Sequence, residues 1–243
     1  MSIIRKKYRI LMFEFFITVA IAIALAIVIA ITSWSLDLKL SLVLVLLIIL
    51  FIILLWFKPR LFYYSQQFAF VRLKINQNPP VITDYDLSKG IWIAELIKRN
   101  FTIFCDSDAF TLVYRITKNT RQTIIHRPML EIVVLIKKAS MTYTEQIITK
   151  TINRLEDDCA KRKLSYRNYS IFLIKTGSPL TETENDLVDQ VVFERQNGHN
   201  IVALNGFYDE ETHKLYFLHS DQFYPTVYYK YAVDLLLSLI LLP

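Results

Sequence analysis

Phe15–Ile31 reads FFITVAIAIALAIVIAI and Leu40–Phe57 reads LSLVLVLLIILFIILLWF. Thr18 is the only polar side chain of the first run and Ser41 the only one of the second. At ~1.5 Å of rise per helical residue, each run with its flanks reaches the roughly 30 Å hydrocarbon thickness of a bilayer. Thr32–Lys39 between them is too short for a fold of its own, so the pair predicts a two-helix transmembrane hairpin. Neither run carries an ionisable side chain in its middle, which favours an anchor over an ion or proton pathway. An oligomeric channel is a third, weaker reading, because it needs many copies around a pore.

Charges on either side of the runs set the expected orientation. Arg5, Lys6, Lys7 and Arg9 precede the first run and Lys58 and Arg60 follow the second, against Lys39 alone in the turn. The positive-inside rule then gives a multi-pass protein of the cell (plasma) membrane with both termini cytoplasmic. The expected segments are a basic N-terminus (1–9), a first span (10–34), an external turn (35–39), a second span (40–57), a juxtamembrane linker (58–80) and a cytoplasmic domain (81–243). A cleaved signal peptide fits less well: the first apolar run is longer than usual, a second follows at once, and no clear A-x-A site is present. Ala22, Ala26 and Ala30, and likewise Ala20 and Ala24, have the spacing that lets helices approach closely, against the other span or a second copy.

The basic balance belongs to this hairpin. Residues 1–60 hold seven basic and two acidic groups of the chain's 28 and 22, leaving 21 and 20 for the remainder. The sequence pI of about 9.2 therefore reflects membrane topology, and no nucleic-acid surface is expected. With only 4 glycines, the G-x-G-x-x-G, P-loop and G-x-S-x-G signatures are absent. Cys105 and Cys159 match no zinc or redox spacing and read as reduced thiols, Cys159 in a core.

After the break at Asn76-Gln77-Asn78-Pro79-Pro80, periodicity predicts a membrane-anchored α/β (α+β) domain with a mixed sheet. Its expected order is α-β-β-β-α-β-α-β-β-α. Asp86 reads as the N-cap of a helix reaching about Arg99, followed by strands at Phe101–Cys105, Phe110–Thr117 and Leu130–Ile136. Thr142 and Glu145 read as a capping box for a helix ending at Lys161-Arg162-Lys163. A strand at Tyr169–Lys175 makes a β-α-β unit with Leu130–Ile136. A short helix over Glu182–Phe193 and a hairpin of Ile201–Phe207 with His213–His219 follow. A last helix opens at Pro225 and, being too short to span from Asp234, is expected to dock on the sheet.

Two constellations carry candidate chemistry. Asp106 and Asp108 precede the second strand and Glu131 opens the third. The α-β-β-β-α-β order resembles the core of PD-(D/E)-x-K nucleases, in which an Asp and an E-x-K hold a metal. This chain has Val133 where that motif has its lysine, and Lys137 stands ~20 Å from Glu131 along an extended strand. The second constellation is His199, His219 and Asp221. Pairing Phe207 with His213 would set Ile201 opposite His219 and His199 opposite Asp221, a donor set for zinc or iron. The competing readings are turn and surface carboxylates and polar residues at strand ends. Arg121, His126 and Arg127 lie in a loop that reads as solvated or as touching acidic headgroups or a partner.

The leading expectation is thus a binding or assembly module at the inner face of the membrane. Its partners would be the lipid bilayer and either further copies or another membrane-associated protein, and no cofactor is expected. The alternative is a membrane-tethered metal-dependent hydrolase or nuclease using a divalent metal at Asp106, Asp108 and Glu131 or at the histidine group.

Overall fold

The computed structural model describes residues 2–117, 128–196 and 198–241, and the chain divides into a unit of residues 1–72 and a unit of residues 73–243. The loop containing Arg121, His126 and Arg127 lies outside the described residues.

The first unit holds α1 (Ser2–Ile31) and most of α2 (Leu36–Ile75). Both helices are long and apolar enough to cross a membrane. In α1 the less exposed positions are Leu11, Phe15, Thr18, Ala22, Ala26 and Ile29, three or four residues apart. That spacing keeps them on one face. Phe15 meets Phe57 of α2 edge-on with ring centroids 5.9 Å apart, and Tyr8 stacks on Phe68 at 6.2 Å. Ala20, Ala24 and Ala30 are exposed, so one alanine register packs within the hairpin and the other faces outward. At the turn, Lys39 Nζ donates to the Ala30 carbonyl at 3.0 Å and the Thr32 hydroxyl to that of Ile29 at 2.7 Å. Both satisfy carbonyls that a helix end leaves open. α2 contains Pro59 and continues through the expected juxtamembrane stretch to Ile75; the break falls at residues 76–80, where Pro79 and Pro80 forbid a helix.

The second unit is an α+β domain. Its elements are β1 (Val81–Ile82), α3 (Gly90–Lys98), β2 (Thr102–Asp106), β3 (Phe110–Thr117), β4 (Met129–Ile136), α4 (Gln146–Lys161), β5 (Asn168–Gly177), α5 (Glu182–Val188), β6 (Val192–Gln196), β7 (His199–Asp209), β8 (Lys214–Phe217) and α6 (Val227–Ile240). The sheet runs β1-β8-β7-β5-β4-β3-β2, with β6 also paired to β7. β4, β5 and β7 are parallel and the other pairings antiparallel.

Alternation along the strands gives the sheet two apolar faces. Leu112, Leu130, Ile132, Val134 and Phe207 pack with Ile148, Leu155 and Cys159 of α4 and Val188 of α5. The other parity, including Val133, Phe172, Ile174 and Leu204, is also buried. α6 covers that side, contacting β5 and β7 and burying Tyr229, Val233, Leu236 and Leu239. The C-terminal helix therefore docks on the sheet. Trp92 of α3 ties into the same layer, its Nε1 donating to the Leu239 carbonyl at 3.0 Å.

Several local expectations change. The helix expected over Glu182–Phe193 stops at Val188, and Val192–Gln196 forms β6, with Gln196 opposite His199 in an antiparallel pair. Asn197-Gly198 lies between those partners in sequence, and Gly198 has φ +83°, the backbone that a tight hairpin turn requires. The Thr142/Glu145 capping box does not form; α4 begins at Gln146 without a side-chain cap bond. Asp86 organises a turn and does not cap α3: its Oδ1 accepts from the Ser88 N–H at 3.1 Å and hydroxyl at 2.6 Å. Burial pushes the Asp86 carboxyl up, but the hydrogen bonds from Lys89 and Ser88 outweigh it and hold the group at about 2.

Candidate functional site

Met129–Ile136 reads MLEIVVLI and every residue of it is buried. A glutamate at full burial needs partners, because an isolated carboxylate in an apolar interior is heavily penalised. Glu131 is 0% exposed, and the register sets Arg115 of β3 directly opposite it. Arg115 Nε bonds Glu131 Oε2, and the Tyr231 hydroxyl from α6 donates to Oε1. Arg115 Nη1 donates onward to the Arg99 carbonyl at 2.8 Å, and its guanidinium lies 4.5 Å over the Phe101 ring. Arg99 in turn donates to the Ser238 carbonyl of α6. Burial, and next the Glu131 charge, push the Tyr231 phenol well above its ordinary range, so it stays a donor at physiological pH. The group is neutral overall, internally hydrogen-bonded and suited to fixing α6 on the sheet.

Beside it lies a cleft of about 520 Å³. β2 pairs with β3 no further than Tyr114, so β2 leaves the outer edge of Arg115–Thr117 unpaired. Arg99, Asn100, Thr102, Thr117 and Ser165 supply its polar rim and Ile116 and Leu164 its apolar part. Both guanidinium groups there already hold protein acceptors. The cleft thus offers backbone and hydroxyl hydrogen bonding at a sheet edge, a binding surface lacking an activated nucleophile or acid–base pair.

The sequence-derived acids do not converge. Asp106 accepts from Lys137 Nζ at 2.8 Å and from the Thr111 hydroxyl at 2.6 Å, and these bonds, Lys137 foremost, hold its carboxyl below the usual range. Asp108 is exposed. Asp106 pairs with Thr111, which pairs with Leu135, so it stands two strands across and ~13 Å along from Glu131.

The histidine group is separated by strand register. Asp209 pairs with Lys214 and Phe207 with Tyr216, so the pairing of Phe207 with His213 does not occur. β6 takes the part of β7 that a longer β8 would have reached. His199 instead bonds the Arg167 carbonyl through Nδ1 at 3.1 Å and meets Tyr169 edge-on. Asp221 accepts from the Asn78 amide at 2.6 Å. Among the described residues, no three His, Cys, Asp or Glu side chains are grouped to hold a metal ion.

His219 is 3% exposed, stacks on Phe217 at 4.2 Å and bonds the Phe217 carbonyl through Nδ1. Burial holds its imidazole below the ordinary 6.5, outweighing that bond and the Asp221 charge. The unfolded chain then takes up a proton as pH falls through 6.5 while the folded chain resists it. His219 therefore contributes a stability term that is fully present above pH 6.5 and declines below it. Unfolding midpoints compared for wild type and His219→Gln should show the wild type losing stability faster between about pH 6.5 and 5; parallel curves would remove the effect.

Arg115, Tyr231 and Arg99 escaped the sequence reading. The signal was Glu131 itself, a lone charge in an unbroken apolar strand, which demands a cation and a donor from neighbouring elements. No protein-family model, curated protein or solved structure matches this chain.

Proposed function

We propose that the protein is a two-helix membrane anchor carrying an α+β binding or assembly module on the cytoplasmic side of the cell membrane. One observation carries this reading: the most apolar windows of α1 and α2 are 0% and 6% buried within the fold. Such continuous apolar surface far exceeds what a soluble monomer exposes, and hydrocarbon is the solvent that accommodates it. The flanking charge pattern supports cytoplasmic termini. The open β3 edge and the internally satisfied polar groups of the second unit favour binding over catalysis, with another copy or a membrane-associated protein as partner.

Protease added to intact cells should leave residues 81–243 uncut, and inverted vesicles should expose them to cleavage. Digestion from outside would overturn the orientation. Cross-linking in native membranes should yield species larger than the monomer. A chain that remains monomeric and partnerless there would overturn the assembly role.

A further inference from the structure

Resting on the membrane-spanning reading above, we propose that the hairpin holds one anionic glycerophospholipid by its phosphate, in a cleft between α1 and α2. The cleft measures about 640 Å³, ample for a lipid headgroup. Its cations come from both helices, Lys7 from α1 and Arg60 from α2, and the Tyr63 and Tyr64 side chains stand beside them. Ile10 and Leu11 give it an apolar wall and Glu14 a single carboxylate.

Depth and charge both fit a phosphodiester. Pro59–Tyr64 lies ~3–10 Å beyond Phe57 at ~1.5 Å per residue, and the headgroup layer on each side of a bilayer is ~5–8 Å thick. The cations thus stand at the level of lipid phosphates. The Arg60 guanidinium lies 3.5 Å over the Trp56 ring, which restrains the side chain while leaving N–H donors for a phosphate fork. Tyrosine hydroxyls can donate to the remaining phosphate oxygens. Lys7 and Arg60 against Glu14 give the lining a formal charge of one positive unit, the complement of one phosphodiester. Glu14 can accept from a headgroup hydroxyl such as that of glycerol. A choline head would bring a further cation towards Lys7 and Arg60, so the cleft discriminates against zwitterionic choline lipids.

The test uses the full chain in vesicles of phosphatidylcholine with or without a minority of phosphatidylglycerol, followed by gentle detergent release and native mass spectrometry. We expect one retained phosphatidylglycerol, favoured roughly tenfold over phosphatidylcholine by two surface cations. The K7Q/R60Q double variant should lose that preference. R5Q/K6Q, which removes equal charge from the same flank outside the cleft, should keep it. Excess inorganic phosphate should leave the lipid bound, because the acyl chains also hold it; displacement would point to a free-phosphate site. Equal retention of both lipids, or equal losses in the two double variants, would overturn the site. Alkaline carbonate extraction separates the two failures. A chain stripped from the membrane refutes the spanning reading, whereas an inserted chain without lipid preference refutes the lipid site alone.

Discussion

Replacing Arg115 by alanine should lower the stability of the α+β domain by about 3–5 kcal/mol, the cost of leaving a buried charge without its partner. Glu131 is 0% exposed while the Arg115 side chain is 23% exposed, so the penalty falls on the carboxylate. Tyr231 alone would then face it, with one hydroxyl for two oxygens. Against a typical total of ~5–15 kcal/mol, the variant would populate unfolded chains under mild heating. The companion variant is R115M/E131L/Y231F, which removes every member of the group and refills its volume with apolar atoms. Such exchanges are commonly neutral or stabilising, so it should melt near the wild type. Thermal unfolding in detergent, followed by near-ultraviolet circular dichroism, distinguishes the two. An Arg115→Ala protein as stable as wild type would mean that the buried charges are solvated by some other route.

Trp92→Ala should be comparably severe, at ~3–5 kcal/mol for emptying a fully buried aromatic site. Trp92 is 0% exposed, and its indole nitrogen satisfies the Leu239 carbonyl. Trp92→Phe isolates the hydrogen-bond share and should cost less, about 1–3 kcal/mol. The damage should stay local, because Trp92 belongs to the second unit and the hairpin helices make their own backbone hydrogen bonds. Limited proteolysis of the reconstituted variant should therefore cut within residues 73–243 while residues 15–57 remain protected. Equal protease resistance of Trp92→Ala and wild type would show that α3 contributes little to holding α6.

Much of the architecture could be read from periodicity, and the misses have identifiable causes. The two apolar runs and the continuous Leu130–Ile136 stretch announce themselves by composition alone. The expected strand at Tyr169–Lys175 lies within β5, and its parallel pairing with β4 follows from the intervening helix. β6 was obscured because Glu182–Phe193 carries helix formers, although Asn197-Gly198 just beyond is a strong hairpin signal. The β7–β8 register was misjudged by three residues because a turn of unknown type cannot fix pairing. That error alone created the apparent His199/His219/Asp221 group. Glu131 was correctly singled out, yet read for catalysis when its burial called for a structural partner. Arg115 sits on another strand and Tyr231 on a helix 100 residues away, and no local pattern links such positions.

The Tyr231–Glu131 bond also bears on the order of assembly during synthesis. Ribosomes deliver α1 and α2 first, and their insertion into lipid needs nothing that follows. Glu131 emerges next, but its phenolic partner is translated 100 residues later, roughly 5–20 s at bacterial elongation rates. Throughout that interval the half-made sheet is tethered beside the bilayer with one greasy side bare and a carboxylate awaiting its second donor. The nascent domain is thus a natural client for chaperones stationed at the insertion machinery, and pausing translation before α6 should lengthen its stay with them.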